Sequence, residues 1–181
     1  IFNFLILIVL LLSIYEWKNI CKTKVLYYFG ILFLFYAFYA IYKIRNDFDG
    51  EYYYLFFVLM ICVSTDIGGY VFGKILQGPK LTNISPNKTY SGVVGSYMFS
   101  IASAYLFVQE VELDYSIHNM YEVIFLALLI STVSQLGDLL ISFFKRMSNL
   151  KDTGTIIPGH GGILDRIDGM IFAIPFSYLL F

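Results

Sequence analysis

Between Lys145 and Gly169 the chain reads KRMSNLKDTGTIIPGHGGILDRIDG, with seven charged residues and five glycines in 25 positions. The bases Lys145, Arg146, Lys151 and Arg166 suit phosphate, and the acids Asp152, Asp165 and Asp168, with Asp138 just upstream, suit a hard cation. Asp165 and Asp168 are three apart, so on a helix they share a face. Such a pair can carry Mg²⁺ in an oxygen shell that leaves positions for phosphate, although it also reads as a solvated helix start. Pro158, Gly159, His160, Gly161 and Gly162 form a Gly-rich run whose N–H groups can approach a phosphate closely, or simply a tight turn. As a histidine, His160 could act as an acid or base near neutral pH. Phosphate oxygens are already nucleophilic, however, so a phosphate ligand suits it better than a general base. Bases and acids together fit phosphoryl or nucleotidyl transfer. Attraction to anionic lipid would need no clustered acids.

Two more acids interrupt apolar runs: Asp66 in VSTDIGGY and Asp138 in SQLGDLLISFFKR. Ionisable groups at membrane depth are costly and point to function, unless they serve as interhelical hydrogen bonds or sit in a wetted position. Ser134, Asp138, Ser142 and Arg146 recur every four residues and make one polar stripe, for a site or for a helix-packing seam.

The elements that must carry these residues are helices in a bilayer. The chain of 181 residues is 59% hydrophobic and 14% charged, against about 25% charged in soluble domains. A net charge of −1 gives no bulk attraction for nucleic acid. Cys21 and Cys62 are far apart and read as small buried hydrophobes; with His118 and His160 they make no zinc pattern. The run from Ile1 to Tyr15 is short of the 20 or so residues a span needs, and reads as the remaining end of a longer helix, with more helices upstream. Further apolar segments cover roughly 25–42, 52–73, 91–109, 121–143 and 168–181. The expectation is an all-α, polytopic membrane bundle of about six spans in one domain. Its N-terminal helices occupy 1–63 and its catalytic part 64–181, with loops near 74–90 and 144–167.

Loop charges alternate. The first loop carries Lys18, Lys22 and Lys24, and the third Lys74, Lys80 and Lys88. The second is mixed, and the fourth has Glu110, Glu112, Asp114 and Glu122 without a base. Excess Lys and Arg marks cytoplasmic loops, so the first, third and fifth are expected there, at a plasma or inner membrane if the source is bacterial. Asp66 and Asp138 then face two unusual loops from one side.

The stretch from Ser142 resembles the signature of phosphatidate cytidylyltransferases (CDP-diglyceride synthases): Ser, Lys-Arg, Lys-Asp, Pro-Gly-His-Gly-Gly and Asp-Arg-x-Asp, in order and at family spacing. SPNKTYSG and TDIGGYVFGK resemble two further segments of that family, so the likeness runs from about Ser64 to Phe181. Tyr90 stands where the family has Trp, Ser91 where it usually has Glu, and Ile141 where Glu often precedes the signature Ser. The resemblance implies that CTP and phosphatidate give CDP-diacylglycerol and diphosphate, with Mg²⁺ as cofactor, in a two-metal site. It implies Asp138, Asp165 and Asp168, with Asp66, for metal. Lys145, Arg146, Lys151, His160 and Arg166 would serve the phosphates, with Asp152 in the same machinery. Ser85, Lys88 and Thr89 would contribute from the third loop, and Ser142, Gly159, Gly161 and Gly162 from the signature. A second copy of the chain is the expected protein partner.

Three rivals predict other features. The CDP-alcohol phosphotransferase motif shares DRIDG with this chain, but Ala173 has no Arg after it and the second acidic pair is missing. A transporter would place acids at mid-bilayer on several helices without a phosphate loop. A non-catalytic lipid-binding relative would rest on Ser91 and Ile141.

Overall fold

Hydrocarbon cannot satisfy backbone N–H and C=O groups, so an apolar chain of this kind closes its hydrogen bonds within helices. A computed structural model, describing residues 1–47, 52–82, 84–111, 119–159 and 161–180, shows this arrangement. The helices among the described residues are α1 (Phe2–Ile20), α2 (Lys24–Asp47), α3 (Tyr53–Leu76), α4 (Tyr90–Glu110), α5 (Met120–Met147), α6 (Leu164–Ile167) and α7 (Met170–Tyr178). His160, His118, Glu112 and Asp114 lie outside the described residues.

Helices α1 to α5 are long and apolar enough to cross a membrane, and the chain is an all-α, multi-pass membrane protein. The apolar segment 168–181 is the shortest of those expected. It holds the nine-residue α7, which packs against α2, α3 and α5. The first run differs. Helix α1 continues past Tyr15 through Glu16, Trp17 and Lys18 to Ile20. The large apolar side chains Phe4, Leu5, Leu7 and Leu11 of α1, and Phe29, Leu32 and Phe35 of α2, lie on the outside. A bilayer makes that arrangement favourable, since lipid is as apolar as the side chains.

Without a hydrophobic force between helices in lipid, close backbone contact and interhelical hydrogen bonds must join them. The most intimate pair, α3 and α4, uses both. A side chain at Gly95 would strike Phe72, and one at Gly92 would come 2.8 Å from the Gly69 carbonyl oxygen. Ser96 Oγ donates to the Thr65 carbonyl at 2.7 Å, Thr65 Oγ1 to Ser131 Oγ at 2.9 Å, and Gln135 Nε2 to Ser131 Oγ at 3.2 Å. This seam fixes α3, α4 and α5 around the space that Asp66 and Asp138 enter. One apolar cluster (Phe57, Ile61, Ala127, Ile130, Ile174) fills the α3–α5–α7 side, and another (Trp17, Leu34, Ile141, Leu164, Ile171) lies where α1 and α2 meet α5 and α6.

The first, third and fifth loops gather at one end. Ser148 Oγ donates to the Ile20 carbonyl at 2.7 Å, Asn19 Nδ2 to the Thr153 carbonyl at 3.5 Å, and Arg146 Nε to the Ile84 carbonyl at 3.4 Å. The three basic loops therefore form one surface.

Candidate active site

Helix α5 places its polar stripe against two neighbours. Ser134 is buried against Gly169, where a Cβ would come 2.9 Å from the Ser134 carbonyl oxygen. One turn on, Asp138 forms an ion pair with Lys88 and accepts a hydrogen bond from Ser142 Oγ at 3.3 Å. Lys88 is delivered by the third loop, which folds back on itself. Leu81 N donates to the Lys88 carbonyl at 2.8 Å, and Tyr90 N to the Pro79 carbonyl at 3.1 Å. Thr89 then caps α4, accepting from Gly92 N at 3.1 Å, as hydroxyls at helix starts do.

Two cavities among the described residues hold most of the expected site. The first, about 310 Å³, lies between α3, α4 and α5 beneath the third loop. Asp66, Ser85, Lys88, Thr89, Gln135 and Asp138 line it, with Leu81, Val93 and Leu139 as apolar wall. The second, about 500 Å³, is formed entirely by the fifth loop and α6: Lys151, Asp152, Gly154, Thr155, Ile157, Pro158, Gly159, Gly161 and Arg166. The turn that shapes it needs glycine. Gly159 and Gly161 have φ of 75° and 82°, a region that residues with a Cβ rarely adopt, and Ile157 N donates to the Gly161 carbonyl at 2.9 Å.

The four acids expected on metal fall in different places. Asp66 and Asp138 line the first cavity, and Asp168, at the head of α7, stands close enough to feel both charges. Asp165 is otherwise engaged. Its Oδ1 takes Lys145 Nζ at 2.7 Å, and its Oδ2 accepts Gly162 N at 2.9 Å and Thr153 N at 2.8 Å. Burial alone would raise its carboxyl, but the Lys145 ammonium and those N–H groups outweigh burial and hold it below the usual 3.8. Lys145 is nearly buried, so the pair ties α5 to α6. Arg146 is exposed and braces the loops through the Ile84 carbonyl and, at 3.2 Å, the Leu150 carbonyl.

Carboxylate oxygens suit Mg²⁺, which commonly takes one or two carboxylates and completes its shell with water and substrate phosphate. Asp66 and Asp138, which line one cavity, fit that habit: like charges lining one space favour a cation. Among the described residues no three His, Cys, Asp or Glu side chains converge as a ready-made cage, so phosphate and water would supply the remaining ligands.

Tyr90, Ser91 and Ile141 are not among the lining residues of either cavity, although Ser91 Oγ lies 2.9 Å from Thr89 Oγ1, which lines the first. Ser91 Oγ accepts from Gly78 N at 3.3 Å, bracing the third loop, and Ile141 is buried in apolar surroundings with Trp17 and Leu164. One residue went unread in the sequence. Glu16 of α1 is fully buried and accepts hydrogen bonds from Leu164 N at 2.7 Å, Ile163 N at 2.9 Å and Thr153 Oγ1 at 2.9 Å. The signal was an acid inside an apolar helix, the same signal that singled out Asp66 and Asp138.

The chain is 44% identical over 124 residues to a phosphatidate cytidylyltransferase of Brucella suis biovar 1 (strain 1330), covering 68% of this chain and 44% of the relative. It is 39% identical over 154 residues to the Bacillus subtilis (strain 168) protein of that name, covering 84% and 54%. The Staphylococcus aureus (strain COL) protein is 38% identical over 154 residues, covering 84% and 55%. The chain thus spans about half the length of the curated relatives it matches. The model of the cytidylyltransferase family matches residues 1–181, and the chain belongs to that family.

Proposed function

We propose that the protein transfers the cytidylyl group of CTP to phosphatidate, giving CDP-diacylglycerol and diphosphate for phospholipid synthesis. The observation that carries this reading is the cavity between membrane helices that Asp66, Asp138 and Lys88 line together with Ser85 and Thr89, with a second cavity formed by the Gly-rich loop bearing Lys151 and Arg166. A lipid phosphate can reach such a site with its tails still among the helices. A nucleotide can reach it from the loop side.

In this reading a phosphatidate oxygen attacks the α-phosphorus of CTP, and diphosphate leaves in line. Catalysis is then mainly positioning and charge neutralisation. Lys88 and the fifth-loop bases hold phosphate oxygens. Asp66, Asp138 and Asp168 would hold Mg²⁺, which when bound neutralises phosphate and leaving-group charge. Lys145 contributes from behind through its pair with Asp165. Full-length protein in detergent is expected to release diphosphate only when both phosphatidate and CTP are present, and EDTA is expected to stop it. Equal release with diacylglycerol in place of phosphatidate would overturn the proposed nucleophile.

The same reading puts the site on the cytoplasmic face and pairs the chain with a second copy of itself. The clustering of the three basic loops supports the first part. Single cysteines at Lys88 and Thr155 are expected to react with an impermeant thiol reagent from the cytoplasmic side, and one at Glu110 from the other. Labelling of Lys88 and Thr155 from opposite faces would break the shared site. Mass measurement of the detergent-solubilised protein tests the dimer.

A further inference from the structure

We propose that Glu16, on the first helix, is a positioning residue of the transfer site: it holds the fifth loop in the shape that forms the second cavity. The inference rests on the functional reading above and extends it to a helix with no part in the signature.

Glu16 has no solvent exposure, and a buried carboxylate persists only where donors replace water. All of its hydrogen-bond partners among the described residues come from the distant fifth loop and the start of α6. The loop is built closely around it. A Cβ at Gly154 would come 2.9 Å from Glu16 Oε1, and one at Gly162 would collide with Glu16 Oε2 and Thr153 Oγ1. Gly154 and Gly161 line the second cavity, so the carboxylate grips the loop directly behind the cavity wall.

The grip continues toward the reacting groups. Thr153 Oγ1 lies 2.9 Å from Glu16 Oε2 and 3.0 Å from Asp165 Oδ2, and its single proton serves one of them at a time. The other oxygen of Asp165 holds Lys145. Glu16, Thr153, Asp165 and Lys145 thus link α1, the fifth loop, α6 and α5. Hydrogen bonds to a charged acceptor are the strong ones, so much of the loop's rigidity depends on this carboxylate.

The substitution Glu16→Gln keeps the shape but turns an amide NH₂ toward partners that are all donors. Its expected effect is a KM for CTP raised about tenfold or more, from the loss of charge-assisted bonds. The KM for phosphatidate is expected to hold, because the first cavity is formed by other elements. Glu16→Asp, which keeps the charge on a shorter stem, is expected to recover part of the loss. Amide hydrogen exchange gives a readout that does not need turnover. Residues 161–165 are expected to exchange faster in Glu16→Gln while α3 and α4 stay as in wild type. Unchanged exchange in 161–165, or KM values for both substrates that stay at wild type, would overturn the proposal. Equal increases in both KM values with no recovery in Glu16→Asp would do the same, reducing Glu16 to general stability. An inactive wild type with normal Glu16-dependent exchange would instead overturn the functional reading and leave the loop anchor standing.

Discussion

Asp138→Asn is expected to lower turnover at saturating substrate by about two orders of magnitude or more while leaving the protein folded. Loss of a metal-assisted transition-state contact costs several kcal/mol, and each 1.4 kcal/mol or so is tenfold in rate. Asparagine keeps the shape and still accepts from Ser142, but it is a poorer ligand for a hard cation and loses the ion pair with Lys88. The fold should tolerate the change, because asparagine keeps the hydrogen bond from Ser142 and Lys88, a quarter exposed, can turn its charge to water. Asp168→Asn is expected to behave alike. Titration of turnover against Mg²⁺, with thermal unfolding in detergent beside it, makes the check. Near-normal rates at low Mg²⁺ in both variants would remove these acids from the metal.

Lys145→Met is expected to give the other large effect, and on stability as well as activity. Lys145 and Asp165 are both close to buried, and removing one member of such a pair strands the other's charge, at a cost of about 3–5 kcal/mol. The double variant Lys145→Met/Asp165→Leu removes both charges and is expected to regain part of the stability but none of the activity. The pair also sets a pH dependence. Asp165 has a carboxyl held below its usual 3.8, so its contribution is complete above that value and lost as pH falls below it toward the depressed folded value. Wild type should therefore lose stability more steeply than Asp165→Asn as pH drops through that window. Parallel profiles would mean that the pair does not hold the fifth loop.

These two results would separate acids that the sequence could not. Asp165 and Asp168 share a motif, and spacing alone puts both on metal. The difference lies in neighbours far along the chain: Lys145 and Thr153 claim Asp165, while Asp168 feels the charges of Asp138 and Asp66. The polar stripe on α5 was legible because a helix repeats every 3.6 residues and lipid tolerates polar groups on few faces. The grouping of the three basic loops was legible from charge alternation. Glu16 carried the same signal of an acid within an apolar helix, but its partners lie between 137 and 148 residues away and no local pattern announces them. Thr89 shows another limit: a hydroxyl before a helix can serve a ligand or the cap, and here its oxygen receives Gly92 N. The described helix of segment 168–181, Met170–Tyr178, packs against α2, α3 and α5, a placement that its apolar run alone did not specify.

The central claim is that the α-phosphorus of CTP ends in a lipid. The direct measurement supplies full-length protein with phosphatidate, Mg²⁺ and CTP labelled either at the α- or at the γ-phosphorus, and follows label into the chloroform phase. The account predicts that α-label enters the lipid and that γ-label stays in water as diphosphate. Transfer of γ-label to the lipid, or no transfer of either, would contradict it.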